Sequence, residues 1–434
     1  MPLFIDKPDS AGEVLQANLG YYVVGKEFFF NTIDAYKHSN VTGEKVFHSF
    51  YDDVFIKAHR LGAWKNTSLS TLYSMRARQL RSQYDMLAVN FSGGWDSRNI
   101  LDTFEAEGIQ VDFILIWSVK GMLDKGVKGS RDPGNWITEV SEVAIPYAKE
   151  FCARNPKTKI IIVDKYTDKI VSDFTTKKDN SQEIFDISKQ KPGIMYARNK
   201  EFQDDLDVQK ALEGGKTACL ISGSDKPFIR HTSLNNAVGM FPEQIHSKFK
   251  IPRRSEGYAD NIVFESFYWT PYLPELAIRG WYEMYALATK DRFVAAATDD
   301  SLKIQQRVTI LRSLWVQEIM KKMLYPQYTP GYWSVNKPKD CGFLVTVEVP
   351  VIKVLDERAP GWKAKLREII QGTINEVGEN NMLFFDDPSH SESFERSSEL
   401  ESNFTSDFFV KIKPSPFFRH PLDMQVAQQF ANRT

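Results

Sequence analysis

Met86-Leu87-Ala88-Val89-Asn90-Phe91-Ser92-Gly93-Gly94-Trp95-Asp96-Ser97 is the stretch on which the fold turns. A short apolar run over 86–91 leads into two adjacent glycines, and helical patterning follows from Asp96 to Glu107. Adjacent glycines let the backbone bend sharply and approach a ligand without Cβ clashes. The helix that follows presents unpaired N–H groups and the positive end of its dipole. Ser92 and Ser97 add hydroxyls. Such a turn is an anion cradle suited to phosphate. Asp96 is the odd member, because a carboxylate repels phosphate. It becomes rational as a ligand of Mg2+, which bridges carboxylate and phosphate oxygens. The plain alternative is an ordinary strand–helix turn, with Asp96 as a charge at the helix N-terminus.

Working outward, the flanking sequence alternates strand and helix signals. Ser68 to Arg81 has helical spacing, with Leu69, Leu72, Tyr73 and Leu80 sharing a face. Val111 to Trp117, Lys159 to Asp164 and Thr217 to Ile221 are further buried-strand candidates, and Thr138 to Ala153 is a second helix. Near-continuous apolar strands separated by helices imply an α/β fold, with a parallel β-sheet flanked by helices on both faces. In such sheets ligands bind beyond the carboxyl ends of the strands.

Four regions follow. In residues 1–65, Gly20-Tyr21-Tyr22-Val23-Val24 and Glu27-Phe28-Phe29-Phe30 flank Gly25-Lys26, which predicts a β-hairpin. Residues 66–230 hold the strand–helix alternation. Residues 231–330 read as helical, with periodicity over Leu273 to Lys290 and Ser301 to Met323. There the aromatic run Phe264-Glu265-Ser266-Phe267-Tyr268-Trp269 reads as the start of a packed helix or as a base-stacking platform. Residues 331–434 read as mixed α+β, strand-like over Phe343 to Val354 and helical over Trp362 to Ile374. The stretch from Gly378 to Asp407, rich in Ser, Asn, Glu and Asp, reads as a flexible acidic loop.

Composition narrows the classes. Of 434 residues, 42% are hydrophobic and 13% aromatic, enough to build a core and too many for a disordered chain. Lys and Arg total 55 against 56 Asp and Glu, which disfavours a simple electrostatic nucleic-acid binder. Apolar runs such as Phe113-Ile114-Leu115-Ile116-Trp117 are too short to span a bilayer, so no membrane association is expected. The N-terminus lacks the basic-then-apolar pattern of a secretory signal. Cys152, Cys219 and Cys341 form neither a disulfide framework nor a CxxC motif. A cytoplasmic setting is the expectation. The histidines His38, His48, His246, His390 and His420 show no metal-ligand spacing.

SGGWDS resembles the PP-loop signature, SGGxDS, of the ATP pyrophosphatase superfamily, which includes asparagine, GMP and NAD synthetases and enzymes that modify tRNA and deazapurines. The resemblance implies a Rossmann-like (HUP) PP-loop domain. It implies that Ser92, Gly93, Gly94, Asp96 and Ser97 bind the pyrophosphate part of ATP, Asp96 through Mg2+, with cleavage between the α- and β-phosphates. A Walker A motif is not present at this loop. By position in that superfamily, Ile116, Trp117 and Ser118 would contact adenine through backbone; Trp117 reads equally as core.

A second cluster, Leu220-Ile221-Ser222-Gly223-Ser224-Asp225-Lys226-Pro227, also follows a short apolar strand. It resembles the GxGSDE-type loop of asparagine synthetase and β-lactam synthetase. The resemblance implies that Ser222, Gly223 and Ser224 bind nucleotide and that Asp225 completes the metal site with Asp96. The sequence departs from that pattern: Gly223 is the one glycine in the cluster, and Lys226 stands where Glu is usual. Lys226 is instead a candidate point charge for pyrophosphate. A Gly-Ser turn with a capping Asp is the plain alternative. Gly20 to Tyr36 is similar to the last hairpin of the glutaminase domain of asparagine synthetase, but position 2 is Pro2 where that nucleophile would be a cysteine. The N-terminal region thus resembles a glutaminase remnant without glutamine-hydrolysing activity.

The expectation is therefore an ATP- and Mg2+-dependent, AMP-forming ligase. Its pattern is closest to the synthetase domain of asparagine synthetase, and it would make an amide or C–N bond on a small acceptor carrying a carboxylate or carbonyl. Arg198, Lys200, Arg230, His231, Arg253 and Arg254 are candidates for binding that acceptor's carboxylate or the leaving pyrophosphate, although each reads more readily as a solvated surface charge. Two alternatives stay open: a PP-loop enzyme acting on a nucleobase or nucleoside, and a non-catalytic nucleotide-binding module. Sulfur insertion is disfavoured by the absence of a paired cysteine. A trimmed ligase of this kind would suit a virus-encoded or specialised biosynthetic setting, hence host cytoplasm in the viral case.

Overall fold

The computed structural model describes residues 21–29, 32–49, 52–118, 140–164, 172, 185–186, 191–192, 201–223, 228–233, 236–240, 261–290, 321–328 and 355–377. The N-terminal hairpin forms as expected, with β1 (Tyr21–Val24) antiparallel to β2 (Glu27–Phe29). After α1 (Thr32–Thr42), β3 (Val46–Ser49) pairs with the other side of β1, giving a three-stranded sheet in the order β2-β1-β3. Tyr22, Val24, Ala35, Tyr36 and Val46 form a small core of its own between this sheet and α1.

The chain then builds the main layer. Helix α2 (Asp52–Leu61) and a short 3-10 turn lead to α3 (Leu69–Gln83), whose N-cap Ser68 accepts the Thr71 N–H at 3.1 Å. Strand β4 (Met86–Asn90) hands over to α4 (Trp95–Ala106), and β5 (Phe113–Trp117) follows. A π-type turn at Val140–Ala144 opens α5 (Ile145–Arg154), which leads to β6 (Lys159–Val163). Two-residue strands β7 (Phe185–Asp186) and β8 (Lys191–Pro192) pair with each other. Helix α6 (Leu206–Glu213), capped by Asp205, precedes β9 (Ala218–Ser222). Strands β10 (Phe228–Ser233) and β11 (Asn236–Met240) form an antiparallel hairpin. Strand β12 (Ile262–Ser266), α7 (Pro274–Lys290) and α8 (Trp362–Val377) complete the described elements.

The central sheet has five strands, all parallel, in the order β12-β9-β4-β5-β6. Alternate residues of each strand serve two cores. Leu87, Val89, Ile114, Ile116, Cys219 and Ile221 join the larger one, shared with α2, α3, α4, α5 and α7. Met86, Ala88, Phe113, Leu115, Ala218, Leu220 and Ile262 join the other, closed by Phe202 and Val208 of the α6 region. Burial on both faces is why these strands read as unbroken apolar runs.

Two differences from the sequence reading stand out. The stretch 231–330 is not helical throughout, because it contains the β10–β11 hairpin ending and the fifth sheet strand, β12. The run from Phe264 is therefore the end of a strand and a bend, and the helix begins only at Pro274. Segment 343–354, most of 301–323 and the 378–407 loop lie outside the described residues. Among the described residues no helix is long and apolar enough to cross a membrane.

Candidate functional site

Read along the sheet, β5 and β6 step away from β4 on one side, and β9 and β12 step away on the other. The winding direction reverses between β4 and β9, and the crevice outside the carboxyl ends of strands at such a reversal is where open α/β sheets bind ligands. Both loops singled out from sequence leave the sheet at this point. Ser92–Asp96 follows β4, and Ser222–Gly223 follows β9.

The first loop is shaped by its glycines. Gly93 has φ +84°, and a Cβ there would lie 3.2 Å from the Ala144 backbone nitrogen at the start of α5. Only a residue without a side chain fits both constraints. The loop is tied internally: Ser92 N–H donates to Ser97 Oγ at 3.3 Å, Ser97 Oγ–H donates to the Gly94 carbonyl at 3.1 Å, and Gly94 N–H donates to Ser92 Oγ at 3.3 Å. Gly94 is the N-cap of α4 and supplies no side-chain cap. The first intrahelical bond is Arg98 N–H to the Gly94 carbonyl, so no acceptor within the helix serves the N–H groups of residues 95–97.

Gly223 joins the two loops. A Cβ at this position would sit 3.0 Å from Ser97 N and 3.1 Å from the Asp96 carbonyl carbon. The end of β9 therefore lies directly against the first turn of α4. Ser222 and Gly223 are half-buried beside the first glycine turn, in which Ser92 is exposed, Gly93 and Ser97 are buried, and Gly94 and Asp96 are half-buried. Ser224, Asp225 and Lys226 lie outside the described residues, so the second carboxylate and the lysine are not placed. Arg230 and His231 fall on β10, while Arg198, Lys200, Arg253 and Arg254 lie outside the described residues.

Ile116, Trp117 and Ser118 are at the carboxyl end of β5, next to β4. The last β4–β5 pairing is Asn90↔Leu115, so the backbone of Ile116 and Trp117 runs past β4 as that strand turns into the glycine loop. Ile116 is buried in the core and Trp117 is half-buried. Ser118 is fully buried, its N–H donates to Val163 O at 2.9 Å, and its Oγ has no hydrogen-bond partner among the described residues.

Sequence reasoning missed an aromatic clasp around Asp96. The Tyr325 hydroxyl donates to the Asp96 carboxylate. The Tyr268 hydroxyl donates to the Asp96 carbonyl at 2.6 Å and accepts from Asn99 Nδ2 at 3.2 Å. Tyr73 donates to the Leu324 carbonyl at 2.8 Å, and Tyr328 meets the Trp95 ring edge-on at 4.7 Å. Burial, and next the Asp96 charge, push the Tyr325 hydroxyl well above the usual phenol range. Burial, with Tyr73 and Asp96 nearby, does the same to Tyr268. Both therefore remain protonated donors. Arg98 lies between the rings of Trp95 and Tyr147, 4.6 Å from each, and pairs with Asp102 at 3.4 Å.

A polar row was also missed. Ser222 pairs in register with Ser266, and Val89↔Ile221 places Asn90 beside Ser222. Asn90, Ser222 and Ser266 thus line up across three adjacent strands at their carboxyl ends, and Asn90 Oδ1 is buried without a hydrogen-bond partner among the described residues. Its sequence signal was a polar residue closing each strand, after an otherwise apolar run in β4 and β9.

The residues present fit a bound triphosphate. A helix N-terminus with a glycine at its N-cap, glycines where a Cβ would crowd the neighbouring backbone and a carboxylate on the first helical turn converge at the switch point. No protein-family model matches the chain, and no curated protein matches it.

Proposed function

We propose that this chain is an ATP-dependent adenylating enzyme of the PP-loop type, built on a Rossmann-like (HUP) sheet. It would form an amide or C–N bond on a small acceptor without hydrolysing glutamine itself. The carrying observation is the contact of Gly223 with the backbone of Asp96 and Ser97, which joins the two nucleotide-loop candidates at the reversal of strand order. The strand order supports the reading further, because numbering β4, β5, β6, β9 and β12 by chain position gives 3-2-1-4-5, the order of doubly wound nucleotide-binding sheets.

In this reading the N–H groups at the start of α4 and the backbone of the glycine turn hold the phosphates, and Ser92 offers its exposed hydroxyl. Asp96, with Asp225 from the neighbouring loop, would hold Mg2+. That ion supplies charge neutralisation for the departing pyrophosphate. Lys226 contributes a point charge to the same group. The backbone of Ile116 and Trp117 beyond β4, with Ser118, borders the adenine. The acceptor lies over the row formed by Asn90, Ser222 and Ser266. An acceptor carboxylate or carbonyl oxygen attacks the α-phosphorus, and the bond to the β-phosphate oxygen breaks with loss of pyrophosphate. A nitrogen nucleophile then displaces AMP from the activated carbon and gives up a proton. The protein's share is alignment and electrostatics.

The test is release of pyrophosphate and AMP from ATP by the full chain, with Mg2+ and a panel of small carboxylic acids, amides and nucleosides. Turnover with any acceptor is expected to fall by at least about a hundredfold in Asp96→Asn, while its circular dichroism spectrum stays that of the parent. Undiminished turnover in Asp96→Asn would sink the metal assignment. Stabilisation by ATP with no turnover on any acceptor would favour a nucleotide-binding module instead.

A further inference from the structure

The contacts around Asp96 do more than hold a loop. Residues 321–328 lie about 230 positions beyond the glycine turn. Yet this one segment meets two consecutive loop residues: Tyr325 reaches the Asp96 carboxylate, and Tyr328 lies edge-on to Trp95 at 4.7 Å. The segment is itself anchored, because Tyr73 of α3 donates to the Leu324 carbonyl at 2.8 Å. Tyr325 and Tyr268 are both buried, and Tyr268 fixes the Asp96 backbone carbonyl at 2.6 Å. Backbone and side chain of Asp96 are therefore oriented by separate hydroxyls from separate parts of the chain. A half-buried aspartate at a helix start needs neither for its own solvation. Two donors on one residue, brought from such distances, serve orientation.

We propose that Tyr325 is a positioning residue for the nucleotide site: its hydroxyl occupies one oxygen of the Asp96 carboxylate and so aims the other at the cation that accompanies ATP. This rests on the nucleotide reading given above. Outer hydrogen bonds to a metal-binding carboxylate are worth about 10- to 100-fold in metal affinity. In this assignment Tyr325 acts through the Asp96 carboxylate.

The experiment measures, for the full chain, ATP affinity with chelator and with Mg2+, and Mn2+ affinity of the ATP complex by electron paramagnetic resonance. Tyr325→Phe keeps the ring and removes the donor. Its Mn2+ affinity is expected to fall by about tenfold or more, with metal-free ATP affinity unchanged. Tyr328→Phe keeps the ring against Trp95 and should match the parent in both. Tyr325→Leu provides a second reading: the ratio of metal-present to metal-free affinity is internal to each variant and does not depend on its stability. An unchanged ratio in both Tyr325 variants overturns the assignment, as does an equal loss with and without metal, which is what mere loosening of the loop would give. If the parent itself shows no metal-dependent ATP binding, the nucleotide reading fails and this one with it, a pattern distinct from a defect confined to the variants.

Discussion

Gly93 and Gly223 show how much of the site is set by what is missing from a residue. Gly93 faces the start of α5 and Gly223 faces the start of α4, each across a gap too small for a side chain. The neighbouring Arg98–Asp102 pair shows the opposite, a charge kept where burial opposes it. Burial raises the Asp102 carboxyl above its usual value, and hydrogen bonds from Tyr147 and Arg98 only partly offset this. The sign follows from linkage: a carboxyl that holds its proton more tightly folded than unfolded adds stability at low pH. That contribution is lost as pH rises from about 4 through the folded-state value. Asp102→Asn, neutral at every pH, is therefore expected to gain on the parent as pH rises from the acid range to neutrality. Urea midpoints measured across that range check it, and a parent that instead gains on the variant with rising pH contradicts the account. The Ser92–Ser97 turn between strand and helix was legible because it lies within six consecutive residues. The clasp on Asp96 was not, because Tyr268 and Tyr325 stand 172 and 229 positions away, and nothing local marks a tyrosine as a partner of a distant aspartate.

At the scale of elements, the four strands of the central sheet read from sequence were those with uninterrupted apolar runs: β4, β5, β6 and β9. Strand β12 escaped because Glu265 breaks its pattern. In the fold that glutamate is 1% exposed, and it is tolerable only through Arg76 of α3, at 2.8 Å and itself fully buried. Arg76 also donates to the Ser266 carbonyl at 2.7 Å, and Tyr84 donates to the second Glu265 oxygen at 2.7 Å. The ion pair thus ties the helix before the glycine loop to the outermost strand. Removing one partner leaves a charge buried without its counterion, which costs about 3–5 kcal/mol. Arg76→Met and Glu265→Leu should each lower the unfolding free energy measured by urea titration by an amount in that range. The double variant should recover most of the loss, because two apolar side chains of similar volume replace a pair whose desolvation nearly cancels its attraction. Additive losses in the double variant would mean that the two charges are not coupled.

Across the whole molecule, the described residues hold separate apolar cores. The β2-β1-β3 sheet and α1 enclose Tyr22, Val24, Ala35, Tyr36 and Val46, none of which belongs to either core of the five-stranded sheet. The C-terminal helix α8 reaches back to this N-terminal unit, with Lys37 and Glu376 paired at 2.6 Å and Asn40 Nδ2 donating to the Glu376 carbonyl at 3.4 Å. These α1–α8 contacts are exposed, and exposed ion pairs contribute about 0–1 kcal/mol. The N-terminal unit therefore depends on its own small core. Chains with separate cores need not unfold in one step. Two thermal transitions are expected by calorimetry. Tyr36→Ala, which opens a cavity in the small core at a cost of about 3–5 kcal/mol, should lower only one of them. Under the proposed function ATP with Mg2+ is a ligand of the native sheet body and should raise only the other, by mass action. A single transition that responds to both the substitution and the nucleotide would show that the two cores fold as one, and that the N-terminal unit belongs energetically to the site it precedes in sequence.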